Sequence, residues 1–177
     1  MKDGDLSSYL AVRDRMKSGD CILWKSKSAL GWLIRFWSRG YNHASILLNL
    51  SEYKVLKDRR WMLEALEHGT VLTLLSVRLK GFRGEVWWHP VRADYDQYRD
   101  AVAAWALDYV GTAYDYDSLF RQAFAAVSAD AGKLFCSEYF YLAWKSAMNR
   151  DFGMRSAPKP GDIPTMGIFD APVKIYG

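Results

Sequence analysis

Apolar residues along this chain fall in short blocks separated by Gly, Pro and charged clusters, and the spacing within each block predicts an element. Residues 5 to 16 carry Leu6, Tyr9, Leu10, Val12 and Met16 among charges, a loose amphipathic pattern that predicts a short N-terminal helix. Ser18-Gly19-Asp20 interrupts it, and Cys21-Ile22-Leu23-Trp24 reads as a buried strand. Residues 28 to 38 have helical length, with Gly40 as the stop. From His43 to Leu50 the pattern is that of a buried strand. A polar connection over 51 to 60 leads to a second run at 61 to 66. Glu67-His68-Gly69 turns the chain into a third run at 70 to 75, and residues 84 to 89 form a fourth before Pro90. These spacings predict a meander of antiparallel strands. In the second half, Tyr98, Val102, Trp105, Ala106 and Tyr109 recur at three and four, so residues 94 to 110 read as a helix ended by Gly111. Residues 112 to 117 read as a loop and 118 to about 127 as a further helix. Tyr139, Phe140, Ala143, Trp144 and Ala147 then mark one face of a helix that begins near Cys136 and runs to about Asn149. An irregular Pro- and Gly-bearing stretch follows, with an edge strand at Val173 to Tyr176. The whole predicts one α+β domain over residues 1–177, an antiparallel sheet packed against helices.

Composition narrows the function. Aromatic residues make up 15% of the 177 positions and eight are Trp, which reads as a bulky core first and as an aromatic-walled cleft second. The net charge of +4 is spread along the chain. The densest basic spots, Lys57-Asp58-Arg59-Arg60 and Arg78-Leu79-Lys80, are short and read as solvated faces, so no nucleic-acid partner is expected. The first twenty residues are too charged for the apolar middle of a signal peptide, and no stretch has the length of a membrane span; a cytoplasmic protein is expected. Cys21 and Cys136 are then reduced thiols rather than a disulfide. With no C-x-x-C and no His pair at helical spacing, neither a metal nor a cofactor is expected.

Cys136 is the residue best placed for chemistry. At a helix start, free backbone N–H groups and the helix dipole favour thiolate over thiol. Glu138, in the same first turn, serves the helix electrostatically and is given no chemical role. A nucleophilic Cys needs a base held by a third polar group. His43, at the start of a strand beside Asn42 and small Ala44, fits that need, whereas His68 lies in a turn and His89, before Pro90, reads as a surface or strand-end residue. Antiparallel pairing returns Glu64 to Glu67 toward His43. The two carboxylates fall on opposite faces of a continuing strand, and the pattern alone leaves the choice open.

The order of short motifs is specific where each alone is weak. Gly19-Asp20 opening a strand, Tyr41-Asn42-His43-Ala44, Leu63-Glu64-Ala65 followed by Gly69-Thr70-Val71, Tyr114-Asp115-Tyr116 and Phe135-Cys136-Ser137-Glu138 resemble the permuted papain-like amidases, the YaeF/YiiX branch of the NlpC superfamily. The resemblance runs from about Ser18 to the C-terminus. It implies a circularly permuted papain-like fold in which the His-bearing sheet precedes the Cys helix, Cys136 as nucleophile, His43 as base, Glu64 rather than Glu67 as orienting group, and Tyr114 beside the nucleophile as an oxyanion donor with the Cys136 backbone N–H. It further implies amide hydrolysis through a thioester. The expected substrate is a peptide, an amino-acid amide or a cell-wall fragment. Two other readings stand beside it: a lipid-directed acyltransferase related to lecithin retinol acyltransferase, with residues 29 to 37 as acyl wall or lipid contact, and a non-catalytic binding module that keeps the cleft. Oligomeric state is not legible.

Overall fold

The computed structural model describes residues 5–27, 40–66, 69–111, 135–154 and 158–177. The predicted helices at 28 to 38 and 118 to 127, the acyl-wall segment within the first, the loop bearing Tyr114 and Asp115, and the pair Glu67 and His68 lie outside them. Helix α1 (Ser7–Val12) is followed by strands β1 (Cys21–Ser26), β2 (His43–Leu48), β3 (Trp61–Leu66) and β4 (Gly69–Leu74), helix α2 (Leu75–Lys80), strand β5 (Gly84–His89), a 3-10 turn (Ala93–Tyr98), helices α3 (Arg99–Leu107) and α4 (Phe135–Met148), a second 3-10 segment (Pro160–Met166) and strand β6 (Val173–Tyr176). The fold is a mixed one of helices and a single antiparallel sheet in the order β4-β3-β2-β1-β5-β6.

The meander expected from the spacings holds from β1 to β4 and then breaks, because β5 pairs with β1 rather than with β4. Helix α2 makes the difference. Leu75 and Leu79, one helical turn apart, are both fully buried against Ile22, Trp24, Leu47, Met62, Val86 and Trp88, so burying that apolar edge carries the chain back across one face of the sheet to the open side of β1. A six-residue helix holds too few turns for a periodic signal, and residues 75 to 80 read instead as strand end and solvated loop.

Strand alternation sends Cys21, Leu23, Ala44, Ile46, Leu48 and Leu63 to the other face, where Tyr139, Phe140, Ala143 and Trp144 of α4 and Val102 and Ala106 of α3 cover them. The sheet is thus buried on both faces, which is why its strands read as near-continuous apolar runs. Asp20, just before β1, ties the layers together. Its carboxylate accepts the backbone N–H of Lys17 (3.0 Å) and Val91 (2.9 Å), the Trp88 indole N–H (2.9 Å) and the Arg99 guanidinium (2.9 Å). Gly19 beside it has φ +84, and a Cβ there would stand 3.1 Å from the Trp144 ring, whose own N–H reaches the Gly19 carbonyl.

Gly84, opposite Ser26, lets β5 start flush against β1: a Cβ built on it would lie 2.0 Å from the Lys25 carbonyl oxygen. Gly84→Ala is therefore expected to force the strands apart and lower the unfolding free energy by about 1–3 kcal/mol, read as a lower urea midpoint at unchanged slope. Among the described residues, no helix is long and apolar enough to cross a membrane.

Candidate active site

The site begins with a gap in the sheet. β1 pairs with β2 as far as Trp24 opposite His43, whereas β2 pairs with β3 only as far as Ile46 opposite Leu63. Beyond that point the first residues of β2 leave β3. Leu47 donates its N–H to Asp20 on the β1 side, so by strand alternation Ala44 aims its N–H at the widening gap. The N-terminus of α4 fills it. The Cys136 sulfur accepts hydrogen bonds from the backbone N–H groups of Ala44 and Ser137 and bonds the His43 side chain. A strand donor left without its sheet partner is satisfied by the thiol.

Carried one residue past its last pair, Ile46 opposite Leu63, the register would set Glu64 against Ser45, one pleat from His43 on the same face. The diagonal is short enough for a long side chain, and the splay brings His43 Nε2 and Glu64 Oε2 to 2.9 Å. With Nε2 taken by the carboxylate, Nδ1 is the nitrogen that faces Cys136. Trp24 packs 6.5 Å from the imidazole, centroid to centroid, and its indole N–H is anchored on Ser45 Oγ at 2.9 Å. Cys136 is 6% exposed and Glu64 1%, while the His43 side chain retains 16% of its surface, so the imidazole is the most accessible member.

Electrostatics favour the charge-separated form of the pair. Burial by itself opposes charge on His43, but the Cys136 thiolate and the Glu64 carboxylate override it and raise the imidazole to about 10. Burial likewise opposes a thiolate, and the His43 charge with the two backbone N–H groups outweighs it, holding Cys136 below the ordinary thiol range. For Glu64, burial pushes upward while His43 and then Arg78 pull harder in the other direction, leaving the carboxyl below its usual range. All three shifts run the same way, toward thiolate, imidazolium and carboxylate in a row.

The structure thus brings Cys136, His43 and Glu64 together; Tyr114 and Glu67 lie outside the described residues. Both cysteines are free. Cys21 is fully buried, and burial, then the nearby charges of Cys136 and Asp20, keep it a thiol well above the ordinary range. Of the two readings of His89, surface or strand end, the structure has the second: it ends β5 and is 3% exposed. Burial and the neighbouring Lys25 hold it neutral, near 4, between the rings of Tyr41 and Phe169. Glu138 is also buried, which raises it to about 7. Sequence reasoning missed Arg78, whose guanidinium Nε stands 3.6 Å from Glu64 Oε1 and whose head lies 5.3 Å from the Trp24 ring centre. The Leu75 and Leu79 spacing was the available signal for the helix that positions it. The Lys25 ammonium sits 4.8 Å from the Tyr41 ring and 5.0 Å from that of Trp87.

No protein-family model and no curated protein matches the chain. Among solved structures, the crystal structure of the metalloprotein YiiX from Escherichia coli O157:H7, a DUF1105 protein, superposes with a TM-score of 0.55 over 78% of this chain and 69% of that one, at 19% identity. The chain has a YiiX-like fold. As for a metal of the kind named for that neighbour, no three His, Cys, Asp or Glu side chains among the described residues gather closely enough to share one. Both His43 nitrogens are already directed at protein partners, so the site residues do not fit a metal centre and no step below passes through one.

Proposed function

We propose that this protein is a cysteine amidase or peptidase on a circularly permuted papain-like fold, with Cys136 as nucleophile, His43 as general acid and base, and Glu64 as the group that orients His43. One observation carries the reading: a single imidazole is shared between a sulfur at a helix N-terminus and a buried carboxylate. The thiolate attacks the amide carbonyl carbon, forming the C–S bond and an oxyanion, for which the resemblance assigns Tyr114 and the Cys136 backbone N–H as donors. Imidazolium Nδ1 gives its proton to the leaving nitrogen as the C–N bond breaks, leaving a thioester and a neutral ring whose Nε2–H still points at Glu64. Nδ1 then takes a proton from water as its oxygen attacks the thioester. The acid leaves, and the returning thiolate meets an imidazolium again. A peptide or other amide carrying an amino acid, such as a cell-wall fragment, is the substrate class.

Alkylation tests the activated thiol without a known substrate. Iodoacetamide near neutral pH is expected to modify Cys136 much faster than Cys21, with the rate rising at a pH below that of an ordinary thiol. The sign follows from the lowered value of Cys136: thiolate is present above it and lost as pH falls through it. In His43→Ala the rise should move upward, because burial then acts on the thiolate without a cation to offset it. Equal labelling of the two cysteines, or a profile indifferent to His43, overturns the reading.

A further inference from the structure

Glu64 divides its two oxygens between two cations. Oε2 lies 2.9 Å from His43 Nε2; Oε1, buried and without a hydrogen-bond donor, faces Arg78 Nε at 3.6 Å, beyond direct hydrogen-bond length but within ion-pair range. The two partners differ in kind. His43 loses its charge in each turnover when it protonates the leaving group, whereas a guanidinium stays charged throughout. At the neutral-imidazole stage a carboxylate that is 1% exposed would be left without its cation and would favour the protonated form.

We propose that Arg78 is a positioning residue that keeps Glu64 ionised while His43 is neutral, and thereby fixes the Nε2–H tautomer that leaves Nδ1 free as the base. This rests on the dyad reading given above. Were Glu64 to hold a proton, its hydroxyl would donate to Nε2 and the ring hydrogen would move to Nδ1, the nitrogen that must accept a proton from water. Arg78 is suited to the task by placement. It projects from α2, whose Leu75 and Leu79 are buried beneath the sheet, and its head lies on the Trp24 ring, which is itself fixed to Ser45. A 40% exposed guanidinium so held acts on a buried carboxylate without itself being desolvated. The charged groups facing the pair among the described residues are His43 from β2, Arg78 from α2 and Cys136 from α4.

The test reads the ring directly. In a Cys136→Ala background, which removes the thiolate from His43, imidazole nitrogen NMR across pH 5 to 9 reports imidazolium and the two neutral tautomers separately. With Arg78 present, the ring should pass from imidazolium to the Nε2–H form. With Arg78→Gln, the Nδ1–H form should replace it over part of that range, while Arg78→Lys should keep Nε2–H. An unchanged backbone amide spectrum shows that the variants fold alike, and a misfolded Arg78→Gln is replaced by Arg78→Met read the same way. The proposal is overturned if the charge-free variants titrate through the same two forms as their parent. Iodoacetamide labelling of the Cys136-bearing protein and of its His43→Ala variant keeps the outcomes apart: a rate indifferent to His43 removes the dyad reading whatever the tautomer, whereas a His43-dependent rate with an unmoved tautomer removes only the role of Arg78.

Discussion

Cys136→Ala is expected to lower hydrolysis of any amide that the wild-type protein cleaves by about 10⁴-fold or more, the scale on which loss of a nucleophile removes catalysis when the rest of a triad remains. No other thiol can stand in, because Cys21 is fully buried and held protonated. The fold should survive. The replaced atom is one sulfur at the end of α4, and the helix stays seated through Tyr139, Phe140, Ala143 and Trp144. Steady-state assays paired with urea unfolding check both halves: lost activity with stability inside about 1 kcal/mol of wild type is the expected result. Retained turnover would remove Cys136 from the chemistry. Lost activity with a collapsed urea midpoint would mark the sulfur as a packing element.

The largest effect on stability is expected at Asp20, outside the row of Cys136, His43 and Glu64. Asp20→Ala should lower the unfolding free energy by about 3 kcal/mol, since it leaves the Arg99 charge, itself only 8% exposed, with only the partly exposed Asp96 carboxylate at 2.6 Å as its counter-charge. The Trp88 and Val91 N–H groups lose their acceptor at the same time. That is a large share of the stability of a domain this size. Asp20→Asn keeps an acceptor oxygen and should lose less. Equilibrium denaturation of the two variants measures the difference, and a loss under about 1 kcal/mol for the Ala variant would mean that the Asp96 carboxylate suffices for Arg99.

Asp20 also marks what the sequence made legible and what it did not. Its neighbours Ser18 and Gly19 read correctly as an interruption before a strand, yet no local pattern says that a carboxylate in a turn will gather partners from residues 17, 88, 91 and 99. The four strands from Cys21 to Leu74 and the helix after Cys136 were legible because each buries a continuous apolar face, and burial writes itself locally. Crossing from β4 to the far side of β1 was not, because it depends on two leucines in a six-residue helix. For the site, an unpaired histidine and a cysteine at a helix start were visible in one dimension, and resemblance supplied the preference for Glu64. The splay of β2 from β3 and the pairing of Arg78 with Glu64 are tertiary facts: they exist only where α2 and α4 dock on opposite faces of the sheet. Arg78-Leu79-Lys80 read as a solvated run for that reason, and the reading of His89 stayed open between surface and strand end because Phe169, which helps cover it, comes eighty positions later.

The wedge of α4 between β2 and β3 has a bearing on synthesis. A ribosome releases His43 and Glu64 roughly seventy residues or more before Cys136, and domains tend to form from the N-terminus as the chain emerges. Until the helix seats, the sulfur lacks the Ala44 N–H and the imidazolium that lower it, so a nascent or partly unfolded chain carries an ordinary, weakly nucleophilic thiol. On the reading proposed above, reactivity arrives only once α4 has docked, which shields the polypeptide from alkylation and oxidation while it is still emerging.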